Sequence, residues 1–121
     1  MSSTRREHLY LQDIVEAADA IAAFITDVHP AVFAVDDLVR SAVLHKLQVI
    51  GEATAHVGDE VREKAPAIPW RQVVGFRNYT VHAYFGVDWD IVWATAVEDA
   101  PAIGAAVTAL MESLLDEPPA G

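Results

Sequence analysis

A cluster of reactive side chains lies in the stretch GFRNYTVHAYFGVD, residues 75 to 88. Within eight positions it holds Arg77, Asn78, Tyr79, His82 and Tyr84, in a chain otherwise rich in alanine and valine. Arginine offers a fixed, charged fork of donors that matches a phosphate. Histidine can move a proton near neutral pH, and tyrosine adds a hydroxyl and a ring for base stacking. Together these groups suit binding a phosphodiester, deprotonating a ribose 2′-hydroxyl and stabilising a pentavalent phosphate without a metal.

The spacing of these residues does not by itself establish a site. On an α-helix, at about 100° per residue, Arg77 and Tyr84 project from nearly the same face and Asn78 lies beside His82. Arg77 and His82 lie roughly 140° apart, so they can flank a substrate but cannot stack. A salt-bridged surface arginine and a hydrogen-bonded histidine are the commoner arrangement at this spacing. A second copy across a two-fold axis would double the supply of both groups.

The elements that must position this cluster are all predicted to be helical. Apolar residues recur every three or four positions, and no segment alternates apolar and polar residues as a strand would. Proline, glycine and aspartate mark the helix ends. The first predicted helix runs from Arg5 to Val28 and stops at His29-Pro30, and the second runs from a cap at Asp36 or Asp37 to His56 or Val57. The third begins at Trp70, after Pro69, and ends between Asn78 and Phe85. The fourth follows a cap at Asp88, and the last, after a break at Pro101, runs from Ile103 to Leu115.

These helices predict an all-α, antiparallel bundle of four long helices plus short ones. At 121 residues we expect one domain, residues 1–121, with a frayed tail over 116–121. Gly51 lies inside the second helix, where glycine costs up to about 1 kcal/mol relative to alanine, so we expect another helix to approach closely there.

The composition limits the possible partners. Eight Lys and Arg residues against 18 Asp and Glu give a net charge of −10, which argues against sequence-independent attraction to nucleic acid. The chain has no cysteine and no pair of histidines at metal-ligand spacing, so we predict no metal site. No apolar run approaches a membrane span, and MSSTRREHLYLQD lacks a signal-peptide core. We therefore expect a cytoplasmic protein with neither a membrane nor DNA as a partner.

Three sequence segments, two before the cluster and one that contains it, resemble those of a known family. They are YLQDIVEAADAI at residues 10–21, LHKLQVIGEA at 44–53, and REKAPAIPWRQVVGFRNYTVHAYFGVDWDIVWATAVEDAP at 62–101. In this order and spacing they are similar to the HepT-like branch of the HEPN superfamily, all-α proteins usually encoded beside a minimal nucleotidyltransferase. Arg77, Asn78, His82 and Tyr84 fill the family motif R-N-x-x-x-H-x-Y without departure, whereas Tyr79 falls at a variable position and is expected only to pack.

The resemblance implies a function and a regulation. It implies a homodimer in which two copies of the motif meet at a cleft and form one metal-independent ribonuclease site, with Arg77 and His82 catalytic and Asn78 and Tyr84 supporting them. It further implies that the chain is the toxin, requiring no cofactor, and that an MntA-like nucleotidyltransferase is the antitoxin. That partner would transfer AMP from ATP to Tyr84 and so block the cleft and repel RNA.

Two further readings concern residues near the motif. Glu52 belongs to the family word IGEA on an apolar helix, and we hypothesise that it is buried and orients an arginine of the bundle.

The acidic charge favours an alternative function, a non-catalytic module whose cleft holds a nucleotide or docks the transferase. The other histidines are expected to be surface or capping residues, and the three tryptophans to pack in the core or a dimer interface; they are His8, His29, His45, His56, Trp70, Trp89 and Trp93.

Overall fold

The computed structural model describes residues 3–79 and 86–116, and every regular element in these two ranges is helical. The predicted all-α fold is confirmed. None of these helices is long and apolar enough to cross a membrane. In chain order the elements are α1 (Ser3–Ile25), α2 (Pro30–Phe33), α3 (Asp37–Ala55), α4 (Asp59–Arg62), α5 (Trp70–Val74), a 3-10 turn (Gly75–Tyr79), α6 (Trp89–Ala94), a π turn (Thr95–Asp99) and α7 (Ala100–Asp116).

The core forms where α1 packs between α3 and α7. Helix α1 contributes side chains at the predicted spacing of three and four, and α3 and α7 contribute theirs from the facing sides. Burial of these side chains is the main force that holds the helices together. The buried apolar residues at this centre include Leu11, Ile14 and Ile21 of α1, Val43, Leu47 and Ile50 of α3, and Val107 of α7.

Helix α1 ends at Ile25, earlier than the predicted stop at His29-Pro30. Asp27 adopts a left-handed conformation with φ of 61°, and the Val28 amide donates to the Ile25 carbonyl at 3.0 Å. Such a residue commonly closes a helix because it redirects the chain and lets the last carbonyls find a donor. The sequence prediction took Pro30 as the residue that ends the helix, but the left-handed turn at Asp27 ends it earlier.

Helix α3 begins and ends as predicted. The Asp36 side chain accepts hydrogen bonds from the amides of Leu38 and Val39, both at 3.1 Å, and His56 is the C-terminal cap. The predicted linker before it contains one extra helical turn, α2, whose first free amide, that of Ala31, donates to His29 Nδ1. The expected capping role of His29 is thereby confirmed.

Helix α5 begins at Trp70, as predicted, with Pro69 at its N-cap. The Trp70 ring is buried, and its Nε1 donates to the carbonyls of Arg62 and Ala65 at 3.2 and 3.0 Å. These bonds tie α5 to the segment around α4. From Gly75 the chain tightens into a 3-10 turn that runs to Tyr79.

Pro101 was predicted to separate two helices, and that prediction is wrong. The chain is continuously helical from Trp89 to Asp116. A π turn precedes the proline, in which the Ala100 amide donates to the carbonyl of Thr95, five residues back. Pro101 is therefore the second residue of α7, directly after the π turn, and the helix continues through it.

Candidate functional site

The 3-10 turn that carries the first half of the motif rests on α3 at Gly51. A Cβ atom built on Gly51 would lie 3.1 Å from both Arg77 Cα and Phe76 C, and closer still to the Arg77 amide nitrogen. Real Cβ atoms do not come so near to backbone atoms, so only a glycine at position 51 allows the turn to lie this close to α3. The predicted close approach at Gly51 is confirmed, and the approaching element is the turn of the motif itself.

The turn separates one buried side chain from two exposed ones. Phe76 is 7% exposed and packs in the core, whereas Arg77 and Asn78 are exposed. A 3-10 helix advances about 120° per residue, so three successive side chains point in three directions. With Phe76 directed inward, Arg77 and Asn78 must both face outward. The turn therefore presents both the Arg77 guanidinium and the Asn78 amide to solvent, on a backbone that lies against α3.

The 3-10 geometry also changes the register used in the sequence prediction. The expected adjacency of Asn78 to His82, and the shared face of Arg77 and Tyr84, assumed α-helical steps of about 100° per residue. Residues 75–79 do not follow those steps. His82 and Tyr84 lie outside the described residues, so their positions relative to Arg77 and Asn78 stay predictions.

Glu52 does not have the buried position that was predicted for it. Its side chain is 62% exposed, and Oε1 lies 3.4 Å from Nε2 of His56, one turn further along α3. The ring of Tyr10, on α1, stacks on the His56 ring with centroids 4.8 Å apart. Exposure removes the need for an arginine partner, because water solvates the carboxylate. The spacing of four residues could have revealed the Glu52–His56 pair, but only the packing of α1 brings in Tyr10.

The predicted roles of the tryptophans are confirmed as packing. Trp70 is buried, and Trp89 and Trp93 both contact the ring of Phe33, with centroids 6.3 and 4.8 Å apart. The Arg40 guanidinium covers the outer side of Trp89 at 4.6 Å from the ring centroid. These rings are therefore engaged with the protein rather than presented to a base.

The described residues offer no metal site, since no group of three or more His, Asp or Glu side chains among them could hold an ion. A cavity of about 330 Å³ lies behind the turn, between α5 and α7. Its lining is mainly apolar, with Phe76, Val73 and Ile103 at the wall and Asp99 at the edge. Apolar walls with a carboxylate do not suit a phosphate, so this cavity is a poor candidate for binding an RNA backbone.

Comparison with known proteins identifies the family. The family described as "Ribonuclease HepT-like" matches residues 14–110. The chain is 38% identical over 101 residues to "Putative RNase MJ1380" of Methanocaldococcus jannaschii, covering 84% of this chain and 93% of that protein. It is 37% identical over 100 residues to "Probable ribonuclease HepT" of Thermococcus cleftensis, covering 82% and 91%. No solved structure gives a significant match. With a family match over most of its length, the chain belongs to the HepT-like ribonuclease family.

Proposed function

We propose that this ribonuclease is the toxin of a type VII, HepT/MntA-like toxin–antitoxin pair and cleaves RNA without a metal. The observation that carries the proposal is the turn at Gly51, which holds Arg77 and Asn78 outward on a backbone seated against α3. These two residues begin the motif R-N-x-x-x-H-x-Y, which His82 and Tyr84 complete in sequence. An arginine whose backbone is held in place suits an enzyme that must bind a phosphodiester in one orientation.

In the proposed reaction, His82 and Arg77 have different tasks. One His82 imidazole removes the proton from a ribose 2′-hydroxyl, and the 2′-oxygen forms a bond to the adjacent phosphorus. The bond from phosphorus to the 5′-oxygen breaks, and that oxygen receives a proton from a second, protonated His82 imidazole. Arg77 stabilises the charge that builds on the equatorial oxygens of the pentavalent phosphate. The products carry a 2′,3′-cyclic phosphate and a 5′-hydroxyl, and Asn78 orients Arg77 or His82.

The need for two imidazoles supports a homodimer. One chain supplies one His82, whereas the reaction requires a base and an acid at the same phosphate. A two-fold dimer supplies both, together with two Arg77 guanidinium groups to offset a chain of net charge −10. The cleft between the two copies would be the local region of positive charge that an acidic ribonuclease needs.

An MntA-like nucleotidyltransferase would switch this site off. The Tyr84 hydroxyl oxygen attacks the α-phosphorus of ATP, pyrophosphate leaves, and the phenolic proton passes to a base of the transferase. The resulting AMP–tyrosine adds bulk and negative charge two residues after His82. Both features oppose RNA, by filling the cleft and by repelling phosphate. Whatever ribonuclease activity Tyr84→Phe retains should therefore not fall further when the transferase and ATP are added.

The direct test is cleavage of a labelled RNA oligonucleotide in EDTA, with product ends identified by mass spectrometry. We expect wild-type protein to release 2′,3′-cyclic phosphate ends. His82→Ala should lower the rate by about 10²- to 10⁴-fold, the usual contribution of a general acid or base. Arg77→Ala should lower it by about 10²- to 10³-fold through lost transition-state stabilisation.

Two control variants separate chemistry from folding. Arg6→Ala removes an exposed arginine from α1, and His29→Asn removes a histidine while keeping a side chain that can cap α2. Both should cleave RNA at the wild-type rate. Equal cleavage by wild type and His82→Ala would defeat the mechanism. Tight nucleotide binding without RNA turnover would instead favour the alternative of a non-catalytic docking module.

A further inference from the structure

One exposed side of α3 carries polar side chains in a regular row. Ser41, His45, Gln48, Glu52 and His56, which we name the polar α3 face, follow one another at spacings of four, three, four and four residues. Four of them are exposed and Gln48 is half-buried. Glu52 and His56 are 62% and 51% exposed at the side chain. The opposite side of the same helix, including Val43, Leu47 and Ile50, is buried in the core. The row extends from Ser41 to His56, where the Tyr10 ring of α1 stacks on its last member and borders the face.

The row is complementary to itself when reversed. If a second α3 runs antiparallel and crosses between Gln48 and Val49, each His45 faces the partner's Glu52, and each Ser41 faces the partner's His56. An imidazole N–H can donate to a carboxylate, and a hydroxyl can bond to an imidazole. In a parallel pair, by contrast, Glu52 would face the partner's Glu52, and two like charges would repel. The chemistry thus favours the antiparallel arrangement, in which each contact occurs twice, as a two-fold interface requires.

The same arrangement places both motif turns on one side of the pair. Gly51, on which the turn rests, is one residue from Glu52 and so about 100° around α3 from the polar face. For two antiparallel helices, the two-fold axis is perpendicular to the plane that contains them. Rotation about that axis keeps a feature above the plane in both copies. Both Arg77 turns therefore emerge on the same side, with each Gly51 about 4 Å along α3 from the crossing point.

We infer that the polar α3 face is the surface through which two copies of this chain pair, antiparallel and centred between Gln48 and Val49. The inference rests on the dimeric site proposed above and names its interface. The α3 helices form the floor of the shared cleft, and the two turns carrying Arg77 and Asn78 form its walls.

Single cysteines test the register, because the chain contains none of its own. Gln48→Cys places a thiol beside the axis, where its copy in the partner lies within reach of a short bismaleimide linker. Ala109→Cys places an exposed thiol on α7 as the matched control. We expect at least about tenfold more cross-linked dimer from Gln48→Cys than from Ala109→Cys at equal concentration. Circular dichroism of both variants checks that they fold.

Exchange of the paired residues tests the chemistry. His45→Glu should weaken the dimer by at least about tenfold, because it sets two acidic side chains against each other at two places. The double variant His45→Glu with Glu52→Lys should restore it. In one chain these positions are seven residues, or about 10 Å, apart along the helix and do not touch. Rescue therefore reports a contact between copies, measured as a dissociation constant by analytical ultracentrifugation.

The outcomes separate this interface from the proposed function. A wild-type dimer in which Gln48→Cys cross-links no better than Ala109→Cys would overturn the interface and leave the dimeric site standing. A wild-type monomer that cleaves RNA would overturn both the interface and the shared site. A dimer that cross-links through Gln48→Cys but does not cleave RNA would support the interface and reject the proposed chemistry.

Discussion

Replacing Gly51 with alanine tests how the motif turn is seated. The added methyl would lie 3.1 Å from Arg77 Cα and Phe76 C, atoms of the backbone that cannot turn aside as a side chain end can. Overfilling a packed site of this kind costs about 1–3 kcal/mol. Alanine in a helix interior returns about 1 kcal/mol relative to glycine. The net expectation is a loss of about 1 kcal/mol, which lowers Tm by about 4 °C in a protein of this size.

Gly75→Ala is the matched control for this substitution. Gly75 also has helical backbone angles, but a Cβ atom there meets nothing within 4 Å. Both variants gain the intrinsic preference of alanine for a helix, so the difference in stability between them isolates the collision at Gly51. We expect Gly51→Ala to be less stable than Gly75→Ala by about 1–3 kcal/mol in urea unfolding. RNA cleavage should fall in Gly51→Ala alone, since its Arg77 is displaced.

Equal unfolding free energies for the two alanine variants would refute the reasoning. Such a result would mean that the turn moves away from α3 without loss, and that the seat at Gly51 does not fix Arg77. Loss of stability with unchanged RNA cleavage would contradict only the link between the seat and the activity.

Three further predictions concern the supports of the bundle. Asp36→Ala removes the acceptor of two amide hydrogen bonds at the start of α3 and should destabilise the fold by about 1 kcal/mol, whereas Asp36→Asn should restore most of this in thermal unfolding. Phe33→Ala opens a cavity at a side chain that is 1% exposed and contacts Trp93, so urea unfolding should show a loss of about 3–5 kcal/mol. Trp70→Phe removes the indole donor from the carbonyls of Arg62 and Ala65, which keep their backbone donors, so it should cost only about 0.5–1.5 kcal/mol, seen as a lower Tm; an unchanged Tm would show that water replaces the indole.

The sequence predicted best where one side chain decides the outcome locally. Asp36 and Asp88 both cap the helices that follow them, because a short carboxylate can reach the free amides of the next turn in almost any context. Gly51 also gave a correct prediction, since a glycine in a helix interior indicates that something comes close.

The predictions failed where the local structure depends on neighbouring turns or on packing against other helices. Pro101 cannot donate an amide hydrogen bond, yet the helix continues through it after a π turn, and nothing in the local composition shows this. Glu52 seemed buried because its neighbours in sequence are apolar, yet it lies on the outer side of α3. The 3-10 turn at residues 75–79, which lies against α3 at Gly51, was also not predicted.

The 3-10 winding of residues 75–79 has a mechanical consequence for the chain that follows. Relative to an α-helix, a 3-10 helix gains about 0.5 Å of rise and about 20° of rotation per residue. Over the five residues of the turn this amounts to about 2.5 Å and 100°. If the turn rewound into an α-helix while α5 stayed in place, the chain after Tyr79 would rotate about the helix axis by about a quarter of a revolution. Substitutions that favour one winding over the other should thus change the spacing of the first and second halves of the motif without altering any motif residue.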